Sequence, residues 1–428
     1  MLSRSGIVAA IRPPWVDRNV AIVLTARGFM SAGRAVAGVV TALYLAAEGF
    51  TAVELGLLFL GVTLASAVMT TFIGLASDAL GRRPFLVALP LMAALAAAVF
   101  ATDRAPVMLF VFAALGSFGR GAGAGAGNVG PYQPAESAFV AETVGARHRT
   151  DAFGRLSFVA SLGALAGGLM AGLAHGGARG AAATAAYRPA FLAAAGCAAV
   201  AGLLALGLRE PPRARQAGTR RVRLVLPRRS WNVLWRFWIT NGINGMAIGL
   251  LGPFISYWFH RRFGASPGQI GILFAVINVA TLVSALTAAG VGRRFGTVRA
   301  IVAVRLLQGA LLIPMALAPS FLVAGGVYLL RMLVQRLGLP LRQSFTQSVA
   351  DPAERASVAS LSNLPAQGTQ AGSQVIAGYL FDEVALAAPL LLAGALQVVN
   401  AVAYGALFRG MDSPERAAPE TARSIPSA

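Results

Sequence analysis

The residues of this 428-residue chain that could do chemistry are arginines and amides rather than nucleophiles or metal ligands. All 36 basic residues are arginine, so the lysine of a phosphate-binding P-loop and the amine of a Schiff base are both missing. The single cysteine, Cys197, and three widely separated histidines form no pattern of metal ligands. We therefore expect no enzyme activity, no metal and no cofactor.

The composition places these arginines beside a membrane. Hydrophobic residues make up 57% of the chain, charged residues only 12%, and the mean hydropathy is +0.68. Soluble domains carry about 25% charged residues, so an ordinary soluble enzyme and a disordered protein are both excluded. A net charge of +20 can indicate a nucleic-acid partner, but here the arginines separate long apolar runs. This placement indicates that the arginines orient membrane spans. The expected partner is therefore the lipid bilayer and not nucleic acid.

Twelve apolar segments are long enough, at about 20 residues, to cross a bilayer. We therefore expect an all-α membrane protein with twelve transmembrane helices in two six-helix bundles. The predicted spans lie near 19–45, 54–77, 84–101, 106–128, 153–174, 189–208, 233–258, 268–290, 299–318, 320–339, 356–381 and 387–408.

The arginine distribution predicts the orientation and the domain boundaries. With both termini on one side, that side receives 23 arginines and the other side five. The positive-inside rule then makes both termini cytoplasmic, in a bacterial inner membrane. We expect a bundle over 1–208, a basic cytoplasmic linker over 209–230, a second bundle over 231–410 and a cytoplasmic tail over 411–428.

The two halves repeat each other. A shift of 215 residues aligns 56–59 with 271–274 and Gly81 with Gly296. The same shift aligns two predicted capping boxes at helix starts, Thr51 with Glu54 and Ser266 with Gln269. A shift of 206 aligns later positions in the same way: Pro134 with Pro340, Phe139 with Phe345, Arg149 with Arg355 and Gly172 with Gly378. Two like-oriented six-span units predict a solute site between two rocking halves.

The loop between spans two and three carries a motif. It consists of Gly74, Asp78 four residues later, then Gly81, Arg82 and Arg83. The glycines allow close helix contact, and the aspartate can meet a cation or a helix N-terminus. A short basic turn that only sets the topology would be the alternative for an isolated motif, but this one lies at the second loop of a duplicated twelve-span chain.

With this motif, the duplication and the spans, nearly the whole chain resembles the major facilitator superfamily. The resemblance implies that Asp78 and Arg82 form a cytoplasmic latch against the second half in the outward-open state. The segment 351–354 reads as the start of span eleven, whose positive end could face Asp78. The resemblance also implies a proton-coupling role for Arg120 in span four. Span five departs from the drug-antiporter signature, because Gly168 stands where that signature has proline.

Polar residues inside spans one, four, seven, ten and eleven are candidates for the solute cavity, because charges inside spans rarely face lipid. For Arg27, the alternative is a side chain that extends to the cytoplasmic interface. For the amides of span eleven, hydrogen bonding between helices is the preferred alternative. The candidates are Arg27, Arg34, Arg120, Asn241, Asn244, Arg331, Gln335, Asn363 and Gln367.

Glu136 is the one usable carboxylate at the same depth, and the 206-residue shift pairs it with Arg342. We predict that the two side chains meet across the cytoplasmic mouth when the protein opens outward. Glu136 is also a candidate for exchanging a coupling proton. The alternative is a carboxylate at a helix end that binds Arg149 or solvent.

These observations predict a secondary transporter that works by alternating access as a monomer. The basic cavity candidates favour an anionic or polar organic solute, and export coupled to protons is the first prediction for the mode. Uptake or facilitated diffusion of an anionic or polar metabolite is the alternative. A polytopic membrane enzyme, or a permease subunit served by a separate ATPase, is the alternative from a different class.

Overall fold

The computed structural model describes residues 15–117, 130–144, 148–175, 181–210, 229–280, 296–351, 354, 358 and 361–411. Within these ranges every regular element is helical. The helices of the first half are α1 (Arg18–Glu48), α2 (Ala52–Leu80), α3 (Arg83–Thr102), α4 (Pro106–Gly116), α5 (Tyr132–Thr143), α6 (Arg149–Met170) and α7 (Ala181–Leu206).

The helices of the second half follow in the same order. They are α8 (Trp231–Leu251), α9 (Ile255–Phe263), α10 (Pro267–Ala280), α11 (Thr297–Ala310), α12 (Leu312–Ala316), α13 (Phe321–Val349), α14 (Leu364–Tyr379) and α15 (Ala388–Leu407). A π-helical turn, Leu380–Val384, continues α14.

The predicted twelve-span architecture is confirmed. Eight of the described helical segments are long and apolar enough to cross a membrane: α1, α2, α3, α6, α7, α11 with α12, α13 and α15. The other four predicted spans correspond to α4 with α5, α8 with α9, α10, and α14. The fold is two pseudo-symmetric bundles of six spans each.

Both predicted capping boxes are present. The Thr51 hydroxyl accepts from the backbone N–H of Glu54, while the Glu54 carboxylate accepts from the N–H of Thr51 at 2.8 Å. In the second half, the Ser266 hydroxyl and the Gln269 amide oxygen make the same two bonds, at 3.2 and 2.9 Å. Each box satisfies N–H groups that would otherwise lack partners at the start of a helix, so the repeat extends to helix capping.

The repeat also extends to backbone conformation and burial. Gly81 and Gly296, aligned by the shift of 215, have φ values of 99° and 83°, a region that favours glycine. Phe139 and Phe345, aligned by the shift of 206, are both fully buried. Each phenylalanine therefore belongs to the core of its own half.

The two halves meet through a pair of symmetry-related helix contacts. On one side a methyl group at Gly271 of α10 would overlap the carbonyl oxygen of Gly168 on α6. On the other side a methyl group at Gly56 of α2 would overlap the carbonyl oxygen of Gln374 on α14. The shifts of 215 and 206 convert the first contact into the second. Small residues allow these backbones to approach closely, as is common between membrane helices.

Other contacts between the halves lie at the same end of the bundle. The rings of Phe59 and Phe254 pack edge to face, with centroids 5.3 Å apart. The carboxylate of Asp382 accepts from the N–H of Val53 at 2.9 Å. These residues lie at the start of α2, between α8 and α9, and after α14. The halves are thus in contact at the end remote from the chain termini.

Within each half, one long helix forms the centre of the packing. In the first half α1 packs against α6 and α7, and α3 packs against α7. In the second half α8 packs against α14 and α15, and α11 packs against α15. Gly163 and Gly167 of α6 lie against the backbone of α1 at Gly28 and Ala32. This close packing holds the polar side chains of α1 in fixed positions.

Candidate functional site

The most deeply buried ion pair of the described residues joins α1 to α5. Nη1 of Arg27 lies 2.5 Å from Oε2 of Glu136, and the two side chains are 5% and 3% exposed. Both residues lie within their helices, so the pair has low-dielectric surroundings in which the two charges interact strongly. Glu136 therefore has its positive partner in its own half.

Apolar side chains close off this ion pair. Val23, Ala26 and Met30 of α1 belong to one buried cluster with Tyr132 and Phe139 of α5. The Arg27 side chain is itself buried, at 4% exposure of the residue. The second carboxylate oxygen of Glu136, Oε1, has no hydrogen-bond partner. One oxygen of a buried carboxylate is thus left available for a proton.

The predicted pairing of Glu136 with Arg342 differs from the arrangement in this structure. Glu136 binds Arg27, and Arg342 lies near Arg305 and Tyr404 in the other half. The alternative partner, Arg149, donates instead to the backbone oxygen of Ala141 at 3.1 Å. The reason is distance: the halves meet at the opposite end of the bundle, and α1 is packed directly beside α5.

Arg34, two turns beyond Arg27 on α1, binds the end of a helix. Its Nη2 donates to the backbone oxygen of Ser117 at 3.1 Å. Ser117 ends α4 with a left-handed φ of 52°, which exposes the last carbonyl groups of that helix. A cation is favourable there because the C-terminal end of a helix carries partial negative charge. Arg34 thus joins α1 to the C-terminal end of α4.

The cavity candidates of α8 have partners in neighbouring helices. The Asn241 amide donates to the backbone oxygen of Ser362 at 2.8 Å, while its own oxygen is buried without a partner. Asn244 accepts from the Gln397 amide of α15 at 3.3 Å. Asn244 therefore faces the interior of its own bundle. Arg120 lies outside the described residues.

In α13, Arg331 is 4% exposed and its Nε is buried without a hydrogen-bond partner. Gln335 lies one turn further along α13 and is half-buried. The buried ring of Tyr328, three residues earlier, is close enough to interact with the Arg331 charge. A guanidinium that keeps a free donor inside a bundle is suited to an anionic group.

The predicted polar stripe of α14 changes from exposed to buried along the helix. Asn363 and Gln367 are exposed, Gln370 is half-buried and Gln374 is 1% exposed. Gln374 hydrogen-bonds the Thr63 hydroxyl of α2 at 3.2 Å, across the contact between the halves. One end of the stripe thus joins two helices, and the other end is exposed; contact of that end with a solute stays a prediction.

The loop motif ties several elements of the first half together. The Arg82 guanidinium donates to both carboxylate oxygens of Glu142 on α5, at 2.6 and 3.3 Å. The carboxylate of Glu210, at the start of the linker, accepts from the Arg82 backbone N–H at 2.6 Å. Arg83 donates to the backbone oxygen of Leu206 at the end of α7. Gly81 leaves room for the Glu210 carboxylate, and Gly74 is open to its surroundings.

In this structure the Arg82 guanidinium binds Glu142 of the first half, and the expected latch to the second half stays a prediction. The side chain of Asp78 lies outside the described part of the structure. Glu354, expected near the start of span eleven, accepts from the backbone N–H groups of Ser230 and Arg229, at 2.8 and 3.3 Å. The Ser230 hydroxyl in turn accepts from the N–H of Asp351 at 3.2 Å, so 351 and 354 lie beside the start of α8, where a helix offers free N–H groups.

Glu354 is an ionisable group outside the spans with a shifted pKa. Desolvation raises this pKa, but hydrogen bonds from Ser230 and Arg229 outweigh it and hold the pKa below its ordinary value. The charged carboxylate is therefore the form that binds the start of α8.

Sequence reasoning missed two contacts of this site. One is Glu142, which binds Arg82 and lies at the end of the fourth span, opposite the basic loop. An acid at the end of a span, at the level of an arginine pair in a neighbouring loop, is a usable signal. The other is the carbonyl of Ser117. A backbone partner leaves no signal in the residue type.

Comparisons with known proteins give one family. The model of the Major Facilitator Superfamily matches residues 23–242 and 237–428, which together cover nearly the whole chain. A search of curated protein sequences finds no match.

Among solved structures, the fold resembles a bacterial homologue of the human lysosomal transporter Spinster in an inward-facing and occupied conformation. The identity is 15%, 91% of this chain and 96% of that chain are covered, and the TM-score is 0.71. The nucleoside transporter NupG matches at 15% identity over 91% and 99%, with a TM-score of 0.71. The xylose transporter XylE from E. coli, in an inward open conformation, matches at 14% identity over 92% and 97%, with a TM-score of 0.66.

The two family matches follow the two halves of the fold, and the structural neighbours are transporters and not enzymes. The alternatives of a membrane enzyme and of a permease subunit are thereby set aside. This chain is a multi-pass membrane protein that belongs to the major facilitator superfamily.

Proposed function

We propose that this transporter exports a small anionic or polar organic solute across the bacterial inner membrane in exchange for protons. The observation that carries the proton part is the buried pair of Arg27 and Glu136. A carboxylate in a span is costly, and it is kept where a charge or a proton must move. Arg120, which resembles the family's fourth-span arginine, supports the same coupling.

In the proposed exchange, a proton and the Arg27 guanidinium compete for the Glu136 carboxylate. When Glu136 is ionised, it holds the Arg27 guanidinium at 2.5 Å and joins α1 to α5. A proton on the carboxyl weakens this attraction, so the two helices become free to adopt another packing. Differential binding of the proton to the two states then biases the alternation.

The substrate class is inferred from Arg331. Arg27 is neutralised by Glu136, and Arg34 is bound to a helix end, so neither leaves a free charge for a solute. Arg331 keeps a free Nε, and the exposed amide of Gln367 offers further hydrogen bonds. A carboxylate or phosphate bound at Arg331, with hydroxyl groups toward α14, matches this set of donors.

The proposed orientation supports an inward-open state. The arginine distribution places both termini in the cytoplasm, and the described contacts between the halves lie at the remote end. In this orientation the periplasmic side is closed and the cavity accepts solute from the cytoplasm. Such a state is the loading state of an exporter.

Transport into everted membrane vesicles tests the proposal. An imposed gradient, acidic inside, should drive accumulation of the exported solute, and collapse of the gradient should stop it. In Glu136→Gln, solute movement should persist down its own gradient but no longer respond to pH. The matched control is Glu54→Gln, since Gln269 occupies the equivalent capping position in the second half. If Glu136→Gln still accumulates the solute in response to the pH gradient, Glu136 does not carry the coupling proton.

A thermal-shift screen over organic anions, neutral sugars and antibiotics should identify the solute. We expect organic anions to raise the melting temperature of the wild type and to lose this effect in Arg331→Gln. An equal shift in wild type and Arg331→Gln would assign the solute to another site.

Uptake of an anionic or polar metabolite is the second candidate. The observation that favours it is the absence, at Gly168, of the proline found in the drug-antiporter signature. A solute that accumulates in right-side-out vesicles and not in everted vesicles, under an inward proton gradient, would support uptake over export.

A further inference from the structure

The interior of the second half has a charge imbalance. Five arginines lie between 297 and 349, whereas no Asp or Glu occurs in 231–349 or in 388–411. The four acids of this half are at helix ends, at positions 351, 354, 382 and 383. Buried cations are costly unless a negative group compensates them, so the interior of this bundle lacks anionic groups of its own.

The imbalance is concentrated at Arg305 of α11. Arg305 is 4% exposed, and its guanidinium carbon lies 5.0 Å from the centre of the Tyr404 ring on α15. Arg342 of α13 is near enough for its positive charge to repel that of Arg305. Arg305 thus lies over an aromatic ring while a second positive charge acts on it. The ring attracts a cation only weakly compared with the cost of burial.

Several polar atoms around Arg305 lack partners. Nη1 of Arg305, the hydroxyl of Tyr404 and both the nitrogen and the oxygen of the Asn400 amide are buried without a hydrogen bond. Asn400 is 0% exposed, and it lies one turn before Tyr404 on the same face of α15. Native proteins rarely leave so many buried polar groups unsatisfied, and such a cluster is typical of a site that binds an ion.

We propose that Arg305, Arg342, Tyr404 and Asn400 form a binding site for one small oxyanion, a phosphate or carboxylate group, inside the second half. A guanidinium donates two parallel hydrogen bonds to such a group, and the phenol and the amide nitrogen supply further donors. The bound anion would compensate two positive charges and satisfy three orphan donors at once.

The site is separate from the proposed solute cavity. Arg331, the cavity arginine, lies eleven residues before Arg342 on α13, which is about 16 Å along a helix. Val304 of α11 packs against Gly338 of α13, between these two levels. Arg342 is half-buried, so an anion can enter from its side. The site does not depend on the direction or coupling of transport.

The melting temperature of the purified protein tests the site with inorganic phosphate as the probe. At constant ionic strength, the wild-type midpoint should rise by about 2 °C for each tenfold increase in phosphate above the dissociation constant. The same measurement in phosphatidylglycerol bicelles, with phosphatidylcholine as reference, identifies a lipid headgroup as the source. A rise with phosphate indicates a free anion, and a rise only with phosphatidylglycerol indicates a lipid; either outcome supports the site.

Two variants separate binding from a structural role. In Arg305→Gln the phosphate dependence should vanish, and the midpoint in anion-free buffer should rise because a buried cation is removed. In Tyr404→Phe, which keeps the packing, phosphate affinity should fall about tenfold. The control is Arg236→Gln, since Arg236 is also partly buried but donates to Leu407 at the end of α15. It should keep the wild-type phosphate response.

Three results would overturn the proposal. They are a wild-type midpoint that responds to neither phosphate nor phosphatidylglycerol, an unchanged phosphate affinity in Tyr404→Phe, and a phosphate response in Arg305→Gln equal to that of the wild type. If Arg305→Gln does not fold, the Tyr404→Phe result decides.

Discussion

Replacement of Glu136 by glutamine removes a negative charge from inside the first bundle while keeping the shape of the side chain. The carboxylate oxygen lies 2.5 Å from the Arg27 guanidinium, and both side chains are at most 5% exposed. Glutamine leaves no cavity, so the loss in stability reports the charge alone. Arginine stays protonated in proteins, so Arg27 must remain buried as an uncompensated cation.

The expected magnitude follows from this geometry. Removing one partner of a buried ion pair costs about 3–5 kcal/mol, and we expect Glu136→Gln to fall in that range. Arg27→Gln should cost less, about 1–3 kcal/mol, because the remaining carboxyl takes up a proton and becomes neutral. The double variant should be more stable than Glu136→Gln, since neither charge is then left alone.

A double-mutant cycle measured by unfolding in detergent gives the coupling free energy. The control cycle combines Glu136→Gln with Arg34→Gln, because Arg34 lies about 10 Å further along α1 and binds a backbone oxygen. That control should be additive within about 0.5 kcal/mol. Additive effects for Arg27 and Glu136, or a double variant less stable than both single variants, would refute the reasoning.

Further predictions concern the contact between the halves and the cytoplasmic loops. Gly271→Ala should separate α10 from α6 and shift the population toward the outward-open state about tenfold. Gly61→Ala should leave the population unchanged, because Gly61 has open space around it. Spin labels at two exposed positions, 102 at the end of α3 and 319 after α12, would report the shift as a longer distance, and equal distances in both variants would contradict it. Arg82→Gln should cost only about 0.5–1 kcal/mol in unfolding measurements, because its partner is 47% exposed; a cost above about 3 kcal/mol would contradict this estimate. Since its pKa is lowered in the folded state, Glu354 should stabilise the protein above about pH 4.3 and lose this effect as the pH falls further. The melting temperature of Glu354→Gln should then fall less with decreasing pH than that of the wild type. Identical pH profiles of the melting temperature would count against the contact with α8.

The helices, their orientation relative to one another and the repeat could be predicted from the sequence because their signals are local or periodic. The apolar runs set the spans, and both capping boxes lie within four residues of chain. Partner choice could not be predicted in this way. Glu136 had several arginines at similar depth, and the symmetry argument selected Arg342 for the outward-open state, whereas in this structure α1 places Arg27 beside Glu136.

The sequence by itself determined that this chain spans a membrane twelve times in two related halves. Bilayer thickness, charge placement and helix capping act on short segments, so each leaves a trace in the residue order. Only the tertiary structure decided that Arg34 binds a helix end and that Gly168 meets Gly271. The physical reason is that such contacts join residues far apart in the chain, and many pairings satisfy the same charges and sizes until the helices are packed.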